Sequence, residues 1–228
     1  MKITGLIKTT LLDFPGKVAC TVFTYGCNFR CNFCHNARLV TEENPDNITE
    51  DEFFSFLSKR QGILDGVCIS GGEPTLQKDL PEFIRRIKSM GFAVKLDTNG
   101  YEPDILKSLI DEKLLDYVAM DIKSSPDTYS EICGVNIDID KIKASVSLLK
   151  EGRTDYEFRT TCVKECHTPQ DFVDIADWLQ GDSKYFLQHF EDSGNLIGEG
   201  LSAFSKQQTE DFAQIISEKV PNIGLRGV

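Results

Sequence analysis

The sequence predicts an α/β protein built as a partial (β/α)6 barrel, a parallel sheet with its site at the C-terminal ends of the strands. Strand-like and helix-like patterns alternate about six times along 228 residues, which calls for parallel strands joined by right-handed crossovers. The residues with chemistry in them follow the strands at one end. They are Cys27, then Gly71-Gly72-Glu73-Pro74, Asp97-Thr98-Asn99-Gly100, Asp121-Ile122-Lys123 and Gln188-His189, placed as in barrels whose sites lie at the strand C-termini. No repeat, low-complexity tract or linker interrupts the pattern, so one domain is expected over residues 1–228.

Residues 17–25 are rich in Val, Phe and Thr and form the first expected strand, ending at Gly26. Thr49 and Glu52 fit a capping box that opens a helix over 50–60. A short apolar strand over 66–70 runs into the Gly71-Gly72 pair, and Leu80, Phe83, Ile84 and Ile87 mark one helix face. A strand over 92–96 precedes a helix near 103–112, and a strand over 117–120 precedes a helix marked by Ile139, Ile142, Val146 and Leu149. After a strand over 156–163, Thr168-Pro169 gives a helix start with Thr as cap and Pro at the first helical position. A strand over 185–190, a helix with Phe212, Ile215 and Ile216 on its face, and a final strand over 222–226 complete the chain.

Hydrophobic residues make up 40% of the chain, enough for a real core. No apolar run approaches the roughly 20 residues that span a bilayer, and the N-terminus lacks the pattern of a signal peptide. A cytoplasmic location without membrane attachment is therefore expected, with the eight cysteines free or metal-bound rather than paired. A net charge of −11 argues against nucleic acid as a partner. From Phe14 to Thr41 there is no acidic residue, while Lys17, Arg30 and Arg38 are present. They either offset a thiolate-ligated cluster or offer a docking face to an acidic electron donor.

Cys27-Asn28-Phe29-Arg30-Cys31-Asn32-Phe33-Cys34 is a C-x3-C-x2-C run. Three thiolates can hold three irons of a 4Fe–4S cubane and leave the fourth open for chemistry, whereas four-cysteine sites are closed. A zinc half-site completed by His35 or a distant cysteine is the competing reading. Zinc favours paired C-x2-C hairpins, and here only Cys31 and Cys34 have that spacing.

Gly71 and Gly72 permit close backbone approach to a ligand, and Glu73 can hold an ammonium. Asp97 and Asp121 end strands. With Lys123 they could position a zwitterion, the lysine meeting its carboxylate and the aspartates an ammonium, hydroxyls or a cation. Arg159 lies in an apolar strand and needs a partner, either a ligand carboxylate or Asp121. Cys20 and Cys68 are expected in the core, and Cys133, Cys162 and Cys166 as structural thiols. His35 and His189 are expected near the site, His167 exposed, and Trp178 in packing.

Taken in order, the cysteine motif with Phe33, the Ser70-Gly71-Gly72-Glu73-Pro74 segment and the later strand-end motifs resemble the radical S-adenosylmethionine superfamily. Leu12-Asp13-Phe14-Pro15-Gly16-Lys17, the segment from Val22 to Cys31, Cys34-His35-Asn36, Asp97-Thr98-Asn99-Gly100 and Met120-Asp121-Ile122-Lys123 resemble the glycyl-radical-enzyme activating enzymes, above all those of anaerobic ribonucleoside-triphosphate reductases. The resemblance implies a 4Fe–4S cluster on Cys27, Cys31 and Cys34. It implies S-adenosylmethionine with its adenine near the Phe33 backbone and its amino group near Gly72 and Glu73. Asp121, Lys123 and His189 would lie near its methionyl and ribose groups. Asp97, Thr98, Met120 and Asp121 match positions that surround a monovalent cation in related activases. Asp13, beside the Pro15-Gly16 turn, is expected at the barrel mouth, holding the glycine loop of a partner glycyl radical enzyme. A flavodoxin or ferredoxin-type protein would supply the electron.

The chain is longer than small reductase activators, which keeps a pyruvate formate-lyase-type activase as a relative. A small-molecule enzyme similar to 7-carboxy-7-deazaguanine synthase and a non-catalytic iron–sulfur or zinc scaffold are the other readings.

Overall fold

The computed structural model describes residues 1–42 and 47–227. Its frame is one eight-stranded sheet in sequential order. The strands are β1 (Ile3–Thr10), β2 (Ala19–Thr24), β3 (Gly66–Gly71), β4 (Ala93–Thr98), β5 (Tyr117–Asp121), β6 (Asp155–Cys162), β7 (Tyr185–His189) and β8 (Ile223–Arg226). From β2 to β8 every neighbouring pair is parallel. β1 runs antiparallel to β2 on the outer edge, so β1 and β8 end an open sheet and the barrel is partial. The expected strands all occur, within one or two residues at each end. β1 is an addition that the periodicity did not signal, because Gly5 interrupts its apolar residues and its second half is exposed.

The crossover helices are α1 (Ala37–Thr41), α2 (Glu50–Ser58), α3 (Leu80–Ser89), α4 (Pro103–Asp111), α5 (Tyr129–Cys133), α6 (Ile139–Lys150), α7 (Pro169–Leu179) and α8 (Lys206–Ser217). The capping box at Thr49 and Glu52 forms as expected, and Thr168 caps α7 with Asp171 as its return partner. On α3 the residues Leu80, Phe83, Ile84 and Ile87 are all buried. Each contributes about 1.5–3 kcal/mol relative to exposure. On α8 the buried face is Thr209, Phe212 and Ile216. Ile215, expected on that face, is 41% exposed, because one residue of offset turns a helical side chain by about 100°.

Side chains alternate along the strands with period two. Val94 and Leu96 on β4, Val118 and Met120 on β5, and Phe158 on β6 belong to the apolar core. The residues between and beyond them are polar apart from Ala119: Lys95 and Asp97, Asp121, and Glu157 and Arg159. A polar interior wrapped by an apolar layer is what a barrel that works inside its own mouth requires. No helix of the described residues is long and apolar enough to cross a membrane.

Candidate active site

The cysteine loop leaves the C-terminal end of β2 and folds back over the sheet. Cys34 N–H donates to the Cys31 carbonyl at 3.0 Å, and Phe29 N–H points to Cys27 Sγ at 3.4 Å. The Arg30 guanidinium donates to the Cys27 and Phe29 carbonyls at 2.7 and 2.8 Å, which ties this basic residue to its own loop. Arg38 pairs with Glu42, and Lys17 precedes the opposite end of β2. The three basic residues of the acid-free segment therefore do not form one patch.

Glycines at β3 serve the backbone more than a ligand. A Cβ on Gly72 would stand 2.0 Å from the Gly26 carbonyl oxygen, and one on Gly71, whose φ is +110°, would stand 2.4 Å from Thr24 N. Only glycine lets the end of β3 lie this close to the chain entering the cysteine loop. Gly72 N–H and Glu73 N–H donate to the Thr24 and Gly26 carbonyls at 2.9 and 2.8 Å.

Inside the mouth lies a cavity of about 310 Å3. Cys31, Phe33, Cys34, Gly71, Gly72, Glu73, Asp97, Thr98, Asp121, Lys123, Arg159 and His189 all line it, as do His35 and Gln188. Cys27 reaches it through Asn99, whose amide lies 3.9 Å from Cys27 Sγ and donates to Asn28 Oδ1 at 2.8 Å. Ser70 and Asn99, from the strand-end motifs, also line the cavity, as does Thr161, which no motif marked. Strand alternation places Thr161 on the same side as Arg159, so period two held that signal.

Asp13 is the exception. It precedes the N-terminal end of β2, whereas the cysteines follow its C-terminal end. Its carboxylate accepts from the Thr21 hydroxyl. The expected place at the mouth is thus corrected: the antiparallel β1 carries the segment to the opposite end of the barrel.

Electrostatics gather on β4, β5 and β6. Asp121 Oδ1 accepts from Arg159 Nε at 2.9 Å, and Asp121 Oδ2 from Lys123 at 3.0 Å. Burial alone would raise the Asp121 carboxyl, but Arg159 and Lys123 hold it down at about 2. The Glu73 carboxylate is buried and accepts from Thr75 N–H, Thr75 Oγ1, Thr98 Oγ1 and Asn99 N–H. Burial nevertheless pushes its carboxyl above the usual range. The Cys27 thiol is pushed up to about 12, also by burial.

His167 differs from expectation, and Cys133 keeps its expected structural role in a place that its spacing did not signal. His167 is 4% exposed rather than on the surface. Its ring nitrogens meet the Lys123 carbonyl at 2.8 Å and the Val163 backbone at 3.1–3.2 Å, and its ring lies 6.2 Å from that of Phe33. Cys133 sits against the cysteine loop: its carbonyl accepts from Arg30 N–H at 2.8 Å, and its thiol is hydrogen-bonded to that of Cys31. Nothing in its spacing from Cys34 signalled this, because α5 brings it there.

The sequence profile described as the Radical SAM superfamily matches residues 21–179. The chain belongs to the radical SAM superfamily. A Methanocaldococcus jannaschii protein assigned as a glycyl-radical enzyme activating enzyme is 33% identical over 233 residues, covering 99% of this chain and 96% of that protein. A Sulfurisphaera tokodaii protein assigned as a GTP 3′,8-cyclase is 36% identical over 211 residues, covering 89% of this chain and 64% of that protein. The crystal structure of Streptococcus suis SuiB bound to S-adenosylmethionine superposes with a TM-score of 0.69 at 14% identity, covering 89% of this chain and 48% of that one. That likeness concerns the fold.

Radical SAM membership implies a 4Fe–4S cluster and S-adenosylmethionine. The donor chemistry fits. Three thiols stand on one loop, two of them facing the cavity. The Asn28 Nδ2 amide beside Cys27 is buried with no partner among the described residues, an orphan of the kind that a bound group satisfies. Among the described residues no three His, Cys, Asp or Glu groups gather closely enough for a single metal ion. A cubane asks for wider spacing, since each thiolate takes a separate iron.

Proposed function

We propose that this chain is a glycyl-radical-enzyme activating enzyme whose partner is an anaerobic ribonucleoside-triphosphate reductase. The observation that carries the activating-enzyme part of the reading is the 33% identity spanning almost the full length of both this chain and the Methanocaldococcus jannaschii protein; the choice of partner rests on the resemblance carried by the segments from Leu12 to Lys17 and from Met120 to Lys123. A pyruvate formate-lyase-type enzyme is the related choice of partner. A flavodoxin or ferredoxin-type protein would deliver the electron.

In this reading Cys27, Cys31 and Cys34 hold the cluster. Once bound and reduced, the cluster and S-adenosylmethionine supply a 5′-deoxyadenosyl radical able to take a hydrogen atom from a glycine Cα. The remaining work belongs to the chain. Lys123 and Arg159 offer cationic donors to the methionyl carboxylate. Glu73 receives the amino group, and an ammonium beside it would keep its carboxylate ionised against burial. The Phe33 backbone meets the adenine, with His167 fixing both the Phe33 ring and the Lys123 carbonyl. His189 at the end of β7 lies toward the ribose.

Similarity to the Sulfurisphaera tokodaii protein assigned as a GTP 3′,8-cyclase, over 89% of this chain, favours a second reading, radical chemistry on a small molecule. The reduced, cluster-loaded protein mixed with S-adenosylmethionine and a co-encoded glycyl radical enzyme separates the two. The activase reading expects a glycyl doublet in electron paramagnetic resonance. No doublet, with turnover of GTP or a deazapurine precursor, supports the small-molecule reading.

A further inference from the structure

One charged side chain in the barrel has no role so far. Lys95 is 1% exposed and lies two residues before Asp97, on the same side of β4. Its ammonium is paired with Asp97 Oδ1, and Cys68 Sγ lies 3.8 Å away. Burial pushes the Cys68 thiol up, so that neighbour is neutral and adds no charge. Asp97 Oδ2 accepts from Ser70 Oγ at 3.1 Å and lies 3.5 Å from Arg159 Nη1. Burial would raise the Asp97 carboxyl, but Arg159 and Lys95 hold it below the usual carboxylate range.

These contacts bear on the monovalent cation that the family resemblance suggests for Asp97, Thr98, Met120 and Asp121. Every side chain of that set already has a partner. Asp97 is taken by Lys95, Ser70 and Arg159. The Thr98 hydroxyl donates to Glu73 Oε1 at 2.7 Å and accepts from Gly100 N–H at 3.1 Å. Asp121 is taken by Arg159 and Lys123. The Met120 side chain is fully buried and lies where a Cβ on Gly100 would stand. Lys95, Arg159 and Lys123 thus bring three positive charges to the carboxylates of Asp97, Asp121 and Glu73, the last of which Thr98 contacts. A further cation would find the charge on Asp97 and Asp121 already compensated and would stand beside these like charges in a poorly solvated place, where they repel far more strongly than in water.

We propose that Lys95 is a built-in cation: its ammonium supplies the positive charge beside Asp97, and the site takes S-adenosylmethionine without a sodium or potassium ion. An ammonium matches potassium in charge and nearly in size, but it is covalently tethered and cannot be diluted away. The proposal rests on reading the cavity as the S-adenosylmethionine site.

Thallium-205 resonance of thallous ion, a potassium mimic, titrated into the cluster-loaded protein tests it, alongside S-adenosylmethionine affinity with sodium and potassium replaced by tetramethylammonium. The wild type is expected to show no saturable thallous site and an affinity changed by less than about twofold. Lys95→Met is expected to open a saturable site. Its affinity should fall about tenfold or more in tetramethylammonium, the size of one charged hydrogen bond, and recover in potassium. A saturable thallous site in the wild type, or loss of its binding in tetramethylammonium, overturns the proposal, and this arm decides even if the variant does not fold. No S-adenosylmethionine binding in any salt would overturn the reading of the cavity instead. The thallous titration, which needs no S-adenosylmethionine, would still settle the cation question.

Discussion

Asp121 and Arg159 are partners twice over. They face each other across the β5–β6 ladder, and the guanidinium reaches Asp121 Oδ1 through Nε at 2.9 Å and Nη2 at 2.8 Å. The same carboxylate holds Lys123 on its other oxygen. A single aspartate therefore keeps two cations side by side at the mouth, oriented and ready for an anionic ligand group.

Removing that aspartate, or the lysine it holds, should cost ligand binding without costing the cluster. Asp121→Ala and Lys123→Ala are each expected to weaken S-adenosylmethionine binding by about 1.5–3 kcal/mol. Iron content should stay near that of the wild type. Isothermal titration with the reconstituted proteins measures the first and iron analysis the second. Unchanged binding in both variants would mean that the ligand lies elsewhere.

Asp171 offers a pH-dependent test of what supports the loop after Lys123. Its Oδ1 accepts from Thr128 Oγ1 at 2.8 Å and also from Ser125 Oγ, and its Oδ2 accepts from Thr168 N–H at 2.8 Å. Burial would raise its carboxyl, but these bonds lower it from 3.8 to about 2. A depressed carboxylate stabilises the fold above its unfolded pKa, and that contribution fades as pH falls through the folded value. Asp171→Asn should therefore lower the stability of the apoprotein most at neutral pH, by about 1–3 kcal/mol. Urea melts should show the gap to wild type closing from about pH 4 down to 2. A gap independent of pH would assign the effect to packing.

Steric reasoning at Gly72 is sharper. A methyl there would stand 2.0 Å from the Gly26 carbonyl oxygen, next to Cys27. Gly72→Ala should reduce the iron retained after reconstitution. Gly91→Ala, at φ +89° with nothing within 4 Å of the added carbon, should cost about 1–2 kcal/mol of stability through backbone strain and leave iron unchanged. Equal iron in both variants would contradict the close approach of β3 to the cysteine loop.

The strand order and most of the cavity were legible because both follow from local pattern. Alternating βα units fix a parallel sheet, and a parallel sheet fixes which end carries the site, so residues as far apart as Cys31 and His189 could be brought together on paper. What stayed hidden depends on long-range geometry. Asp13 lies at the wrong end because β1, interrupted by Gly5 and exposed over most of its second half, gave too weak a signal to reveal an antiparallel hairpin. Lys95 is one polar residue in an apolar strand; period two puts it on the side of Asp97, but only the sheet register sets it opposite Cys68 inside the barrel. His167 and Cys133 come from connecting segments, whose paths no periodicity encodes.

Cys133 poses a further question, since a fourth thiol beside Cys31 could be mistaken for a ligand. Reconstituted wild type should hold about four irons, and Cys27→Ala, Cys31→Ala and Cys34→Ala should each lose them. Cys133→Ser should keep its iron content and its cluster spectrum, because it belongs to the helix that buttresses the loop. Loss of the cluster in Cys133→Ser would make the site a closed four-cysteine centre.

The most direct test of the activase account follows one hydrogen atom. The partner enzyme, made with glycine deuterated at Cα, is mixed with the reduced protein and S-adenosylmethionine, and the 5′-deoxyadenosine formed is weighed by mass spectrometry. The account predicts 5′-deoxyadenosine carrying one deuterium, in step with a glycyl radical on the partner. Unlabelled 5′-deoxyadenosine from this mixture, together with deuterated 5′-deoxyadenosine when deuterated GTP replaces the partner, would contradict it.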